Sequence, residues 1–318
     1  MENNFSGKSI DYHHIIAIIL PLLVDQAFII GLNFINIAMI SSVGVNAVSA
    51  VGMVDSINLF LMNIFIALST GGTVVVAQYK GYGDEKMVSR AAAGAVSTVA
   101  IVSIAIAMII VAVHSPMLNI LYGNADSDVL KNAQIYMTGC AISYPFFAVF
   151  ESVCGALRGV SDTKSSMGLS LIMNILYVLL NILFINVLHM GILGMVVSLI
   201  IARFVGMCCA LIYMLKYTHS LNINFKQILK IDFSVQKKIF LIGIPFAAEQ
   251  MFFHGGKIIT KVFITDLGTN AVAVDTICNT ITPTFQIFAN ALVLAIITVV
   301  GQCMGRGEID DAKKFIKS

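Results

Sequence analysis

The chain has 318 residues, of which 58% are apolar and only 11% charged, against roughly 25% charged in a soluble globular domain. With a mean hydropathy of +0.92, apolar stretches of the length that crosses a bilayer recur from end to end. An ordinary soluble fold is thereby excluded, and a net charge of +2 leaves no basic face for nucleic acid.

Apolar windows bounded by charged or Gly/Pro/Asn-rich breaks predict eight helices, at about 15–40, 47–77, 91–113, 130–156, 166–187, 192–215, 237–264 and 271–303. The fold class is therefore all-α, a polytopic transmembrane helical protein. The N-terminus, which carries Glu2 and Lys8 and runs straight into the first span, has no signal-cleavage pattern. The loops on one side hold 15 of the 19 basic residues, among them Lys80, Lys86, Arg90, Lys216, Lys237 and Lys238. By the positive-inside rule that side, with the N-terminus, is cytoplasmic. Six cysteines show neither zinc nor redox spacing and read as small buried apolar residues.

Shifting the chain by 224 residues aligns Pro21 with Pro245, Gln26 with Gln250, Gly31 with Gly255, Asn46-Ala47-Val48 with Asn270-Ala271-Val272, Gln78 with Gln302, Gly81 with Gly305 and Gly83 with Gly307, without a gap. Apolar helices share Leu, Ile and Val by chance, but not Pro, Gln, Asn and several Gly in one register. The second part is thus a parallel copy of the first. Residues 1–216 form a six-helix lobe, 217–236 a cytoplasmic linker, and 237–318 the first two helices of a second lobe. The second copy reaches only position 94 of the first, so roughly 120 more residues, four helices, would complete it. A truncated reading frame, a fragment and a true short form all fit.

Ionisable residues within a span are costly and each is a functional candidate. Asp25 and Glu249 stand at equivalent places, each followed by Gln and each four residues after a Pro that should kink its helix. They are read as an ion site or as acids solvated near a membrane face. Asp275, Asn279, Thr282, Gln286 and Asn290 keep one face of helix 8, and Asp55, Asn58, Asn63 and Ser69 repeat this less cleanly on helix 2. These two helices are expected to wall a hydrated cleft, the alternative being hydrogen bonds that hold the lobe together. Lys257 and Lys261, one turn apart, are expected to pair with Glu249, Asp275 or Asp55. Arg158 and Asp162 read as a loop clamp, and Glu151, seven residues before Arg158, shares its helix face.

The segments LPLLVDQ, SSVGVNAVSAVGMVDSIN, GGTVVVAQYKGYGD and GALRGVSDTKSSM, on a six-plus-six parallel duplication, resemble the bacterial branch of the MATE family, the multidrug and toxic compound extrusion transporters of the MOP flippase superfamily. The resemblance covers essentially the whole chain. It implies a MATE-like lobe in the cytoplasmic membrane and alternating access. It also implies export of cationic or polyaromatic small molecules, with Na+ or H+ as the coupling ion, no other cofactor, and helices 9–12 or a second chain as partner. Where family members carry an Asp on helix 1, this sequence has Asn36, which cannot exchange a proton but can still ligate a cation through its carbonyl. The candidate cleft residues are Asp25, Asn36, Asp55, Glu249, Lys257, Asp275, Asn279 and Gln286. A lipid-linked oligosaccharide flippase of the same superfamily and a non-functional truncated membrane protein are the alternatives. An enzyme is not expected, since HExxH, GxSxG and Walker-type sequences are lacking.

Overall fold

The computed structural model describes residues 12–41, 43–122, 126–218, 221, 223–224, 227–228, 232–266 and 269–317, and the side chains of residues 261–266 and 269–281 are among those outside that description. The elements are all helical: α1 (Tyr12–Ser41), α2 (Val45–Tyr82), α3 (Glu85–Tyr122), α4 (Ser127–Gly159), α5 (Thr163–Asn181), α6 (Gly191–Ile212), α7 (Phe233–Asp266), α8 (Thr269–Arg306) and α9 (Ile309–Lys317). Wide π turns prolong α5 over Ile182–Val187 and α6 over Tyr213–Tyr217. Among the described residues seven helices are long and apolar enough to cross a membrane, and the chain is a multi-pass membrane protein.

Every expected helix begins earlier than its hydropathy window, and most run on further, because the window closes at the first charges whereas the backbone ladder continues through polar turns. Local chemistry sets the true ends. Gly83 takes the left-handed conformation (φ 84°) that closes α2, its N–H bonding the carbonyls of Tyr79 and Lys80. Asp84 then caps α3 by accepting from the Met87 N–H at 3.0 Å. The second copy repeats the turn with Gly307 at φ 77°, and α9 begins at Ile309, the equivalent of Glu85 at the start of α3.

α2 is the hub of the bundle, packed against α3, α4, α7 and α8. Small residues allow this. A Cβ on Gly155 or Gly159 of α4 would lie under 3 Å from Thr73 of α2, and one on Gly71 of α2 would lie 2.7 Å from the Ile239 carbonyl of α7. The apolar interior of the first lobe gathers Val54, Phe65, Leu118, Met137 and Tyr144, the Phe65 and Tyr144 rings 5.6 Å apart. A second nucleus joins α1 to α8 and α9 through Ile15, Ile18, Leu22, Ala291, Ala295, Val299 and Phe315. The apolar side chains of Ile104, Met108, Ile109, Leu179 and Leu193 stay on the outer surface, as lipid-facing positions do.

Candidate functional site

Inside the first lobe the structure gathers polar and charged side chains into two clusters. They lie roughly 22 Å apart along α4, the rise over the fifteen residues from Tyr136 to Glu151.

The first cluster surrounds Asp55 of α2. The Tyr136 hydroxyl donates to Asp55 Oδ1 at 3.1 Å, and the Asn58 side chain lies beside it. Arg203 of α6, buried at 8% exposure, supplies the positive charge. Its Nη1 donates to Ser143 Oγ at 2.7 Å, and its guanidinium sits 4.9 Å over the Phe147 ring. Asn36 of α1 joins from the side, its Oδ1 accepting from Asn181 Nδ2 at 3.1 Å. Asp55 is thus tied across to α4 inside the first lobe.

The second cluster lies toward the end of the bundle formed by the α2–α3 and α4–α5 turns. Glu151 and Arg158 of α4 are ion-paired through Oε1 and Nη2, two turns apart on one helix face. The Ser69 hydroxyl of α2 donates to the Glu151 carbonyl at 2.9 Å. Asp25 of α1 is 4% exposed. The Ser170 side chain lies beside it, and Arg158 and Glu151 are the charges that act on it. Among the described residues Asp25 Oδ1 and Arg158 Nε have no hydrogen-bond partner. The expected Arg158–Asp162 clamp is not formed. Arg158 turns back to Glu151, while Asp162 caps α5 through the Ser165 N–H at 3.3 Å and accepts from the Tyr213 hydroxyl at 3.2 Å.

The remaining candidates are dispersed. Glu249 and Lys257 on α7 are exposed, in contrast to the buried Asp25. Lys257 Nζ stands 4.7 Å over the Phe253 ring, and among the described residues it forms no ion pair, so the expected pairing with Glu249 or Asp55 is corrected. An exposed ammonium has no burial cost for a carboxylate to offset. Gln286 is exposed on α8, and the side chains of Lys261, Asp275 and Asn279 lie outside the described residues. His254, which its spacing gave no reason to single out, bridges α7 to α2 through Nε2, 3.1 Å from Asn63 Nδ2. Ser143 and Tyr136 were equally unmarked, because a lone hydroxyl in an apolar helix carries no periodic signal.

The two copies of the repeat meet through equivalent residues. A Cβ on Gly81 would lie 2.1 Å from the Gln302 carbonyl oxygen, and one on Gly305 2.0 Å from that of Gln78. The α2–α8 contact thus has a local pseudo-two-fold axis, as a parallel duplication requires.

A family model, MatE, matches residues 21–184 and 245–317, two segments whose starts, Pro21 and Pro245, are themselves one repeat apart. The uncharacterized transporter YisQ of Bacillus subtilis is 24% identical over 299 residues, 92% of this chain and 64% of its own length. The probable multidrug resistance protein NorM of Thermotoga maritima is 26% identical over 300 residues, 92% of this chain and 63% of its own. The chain therefore spans somewhat under two thirds of these relatives. In fold it matches the outward-facing conformation of a multidrug resistance MATE family transporter of the MOP superfamily, with a TM-score of 0.89 at 17% identity over 95% of this chain and 67% of that one. The duplication and the family match agree: the chain belongs to the MatE family.

Proposed function

We propose that the chain works as a secondary active antiporter, exporting cationic or polyaromatic compounds in exchange for Na+ or H+ by alternating access. The observation that carries this reading is the meeting of the two repeats through Gln78, Gly81, Gln302 and Gly305. Two similar bundles joined by a near-symmetric contact can rock about it with little change in the contact itself, which is the geometry alternating access needs. The NorM relative of Thermotoga maritima, described as a probable multidrug resistance protein, supports the substrate class.

The charge asymmetry of the loops supports a cytoplasmic N-terminus in the plasma membrane. Phe252, Phe285 and Phe288 of α7 and α8 are more than 65% exposed. They suit neighbours equivalent to those that α3–α6 give α1 and α2, from more of the same polypeptide or from a second copy. An ethidium efflux assay in proteoliposomes tests the reading. Efflux that follows an imposed H+ or Na+ gradient and stops with the matching ionophore is the expected result, and gradient-independent leakage is the result against it.

A further inference from the structure

The two clusters of the first lobe differ in their charge balance. Around Asp55 one acid faces one base, and Asp55 Oδ1 accepts from the Tyr136 hydroxyl. Around Asp25 two acids face one base. Glu151 takes Arg158, and Asp25, 4% exposed, keeps Oδ1 without a partner among the described residues. An enclosed carboxylate with an open oxygen is one positive charge short.

The groups that face Asp25 can be named element by element. From α4 come Glu151, Arg158 and the Cys154 thiol, and from α5 comes the Ser170 hydroxyl. α8 packs on α1 through Ala291, Ala295, Val299 and the Cys303 thiol. Among the described residues α2 and the wide turn after α5 bring no charge that acts on Asp25.

We propose that Asp25 is the proton-carrying site of the first lobe: it binds one H+ on the open Oδ1, and on losing it becomes a second carboxylate competing with Glu151 for the Arg158 guanidinium. The site is distinct from Asn36, eleven residues along α1, whose amide exchanges no proton. A proton fits better than Na+. A hard cation needs several oxygen ligands, whereas the side chains around Asp25 offer the Ser170 hydroxyl beside a guanidinium, which repels cations and has no acceptor. The inference rests on the antiport reading for its physiological role but not for its test.

The test is infrared difference spectroscopy of the full chain in lipid nanodiscs on acidification, reading the C=O stretch of a protonated carboxyl group. The wild type is expected to show such a band, Asp25→Asn to lose it, and Asp25→Glu to keep it at a displaced frequency, with Asp55→Asn as a control that retains it. Size-exclusion and circular dichroism profiles matching wild type establish that Asp25→Asn is folded, and Asp25→Glu reads the site if that variant is not. A band of unchanged amplitude in Asp25→Asn, no band in the wild type, or a band abolished by Na+ at constant pH would each overturn the proposal. Ethidium flux in the same preparation reports on antiport separately: a band lost in Asp25→Asn beside absent wild-type flux would sink the transport reading and leave the proton site standing.

Discussion

Gly81 of α2 and Gly305 of α8 hold one contact from its two sides, each lying against the main chain of the glutamine three residues before the other. The pair is related by the repeat shift, and between them Gly301 faces Ala77, its own repeat equivalent, with a Cβ on Gly301 falling 2.8 Å from that of Ala77. Backbone touching backbone leaves no flexible side chain to absorb an added atom.

Gly81→Ala and Gly305→Ala should therefore each destabilise the bundle, by about 1–3 kcal/mol as overpacking does, and by similar amounts because the contact is symmetric. Gly52→Ala, also on α2 but with nothing within 4 Å, should leave stability unchanged or raise it by up to about 1 kcal/mol through helix propensity. Thermal melting of the three variants in detergent checks this. Equal melting temperatures would mean that α2 and α8 do not meet as described.

Glu151 and Arg158 give a second expectation. Both are largely buried, so Glu151→Gln breaks an enclosed ion pair and leaves Asp25 as the acid facing Arg158, which should cost up to about 3 kcal/mol. The double variant Glu151→Leu with Arg158→Met removes both charges and should cost less than Glu151→Gln alone. Denaturation of Glu151→Leu, Arg158→Met and the double variant decides it: a double loss equal to the sum of the two single losses would show that the two residues are not coupled.

The duplication, the eight helices and the class of fold are legible in the sequence because each rests on a linear pattern, hydropathy or a constant shift. Glu151 with Arg158 is legible too, since seven residues make two turns. What the pattern omits is which neighbour a helix face meets. Asp55 identifies itself as a costly polar residue, but its partner Tyr136 comes from another helix, eighty-one positions away. Asp25 and Glu249 are equivalent in the repeat, yet one is enclosed by α4 and α5 and the other is exposed. Arg203 identifies itself as a costly residue, but Ser143 and Phe147, which hold it, come from another helix.

Tyr136→Phe provides a third test. It removes the donor to Asp55 while keeping the ring volume, so a carboxylate oxygen inside the lobe loses its partner, at about 1–3 kcal/mol. Tyr122→Phe removes a longer bond, 3.3 Å to the Met53 carbonyl, and should cost less. If the two melt alike, the Tyr136–Asp55 bond contributes no more than the longer Tyr122–Met53 one.

Acid sensitivity at the head of α7 follows from Asp232, which lies outside the spans. It caps α7 through the Ser234 N–H at 3.2 Å and is ion-paired with Arg90 of α3. Its slight burial pushes the carboxyl pKa up, but Arg90 and the backbone N–H groups of Ser234 and Val235 outweigh this and hold it below the ordinary 3.8. The folded chain thus binds this proton less readily than the unfolded one. The contribution to stability is complete above the unfolded value of 3.8 and is lost as pH falls through the lower folded value. Because Arg90 is more than half exposed, the effect should stay within about 1 kcal/mol and shrink with added salt. Asp232→Asn should flatten this part of the acid limb while leaving stability at neutral pH nearly unchanged, since an asparagine can still cap the helix. An acid limb identical in wild type and variant would show that the Arg90 contact does not bind the linker to the first lobe in solution.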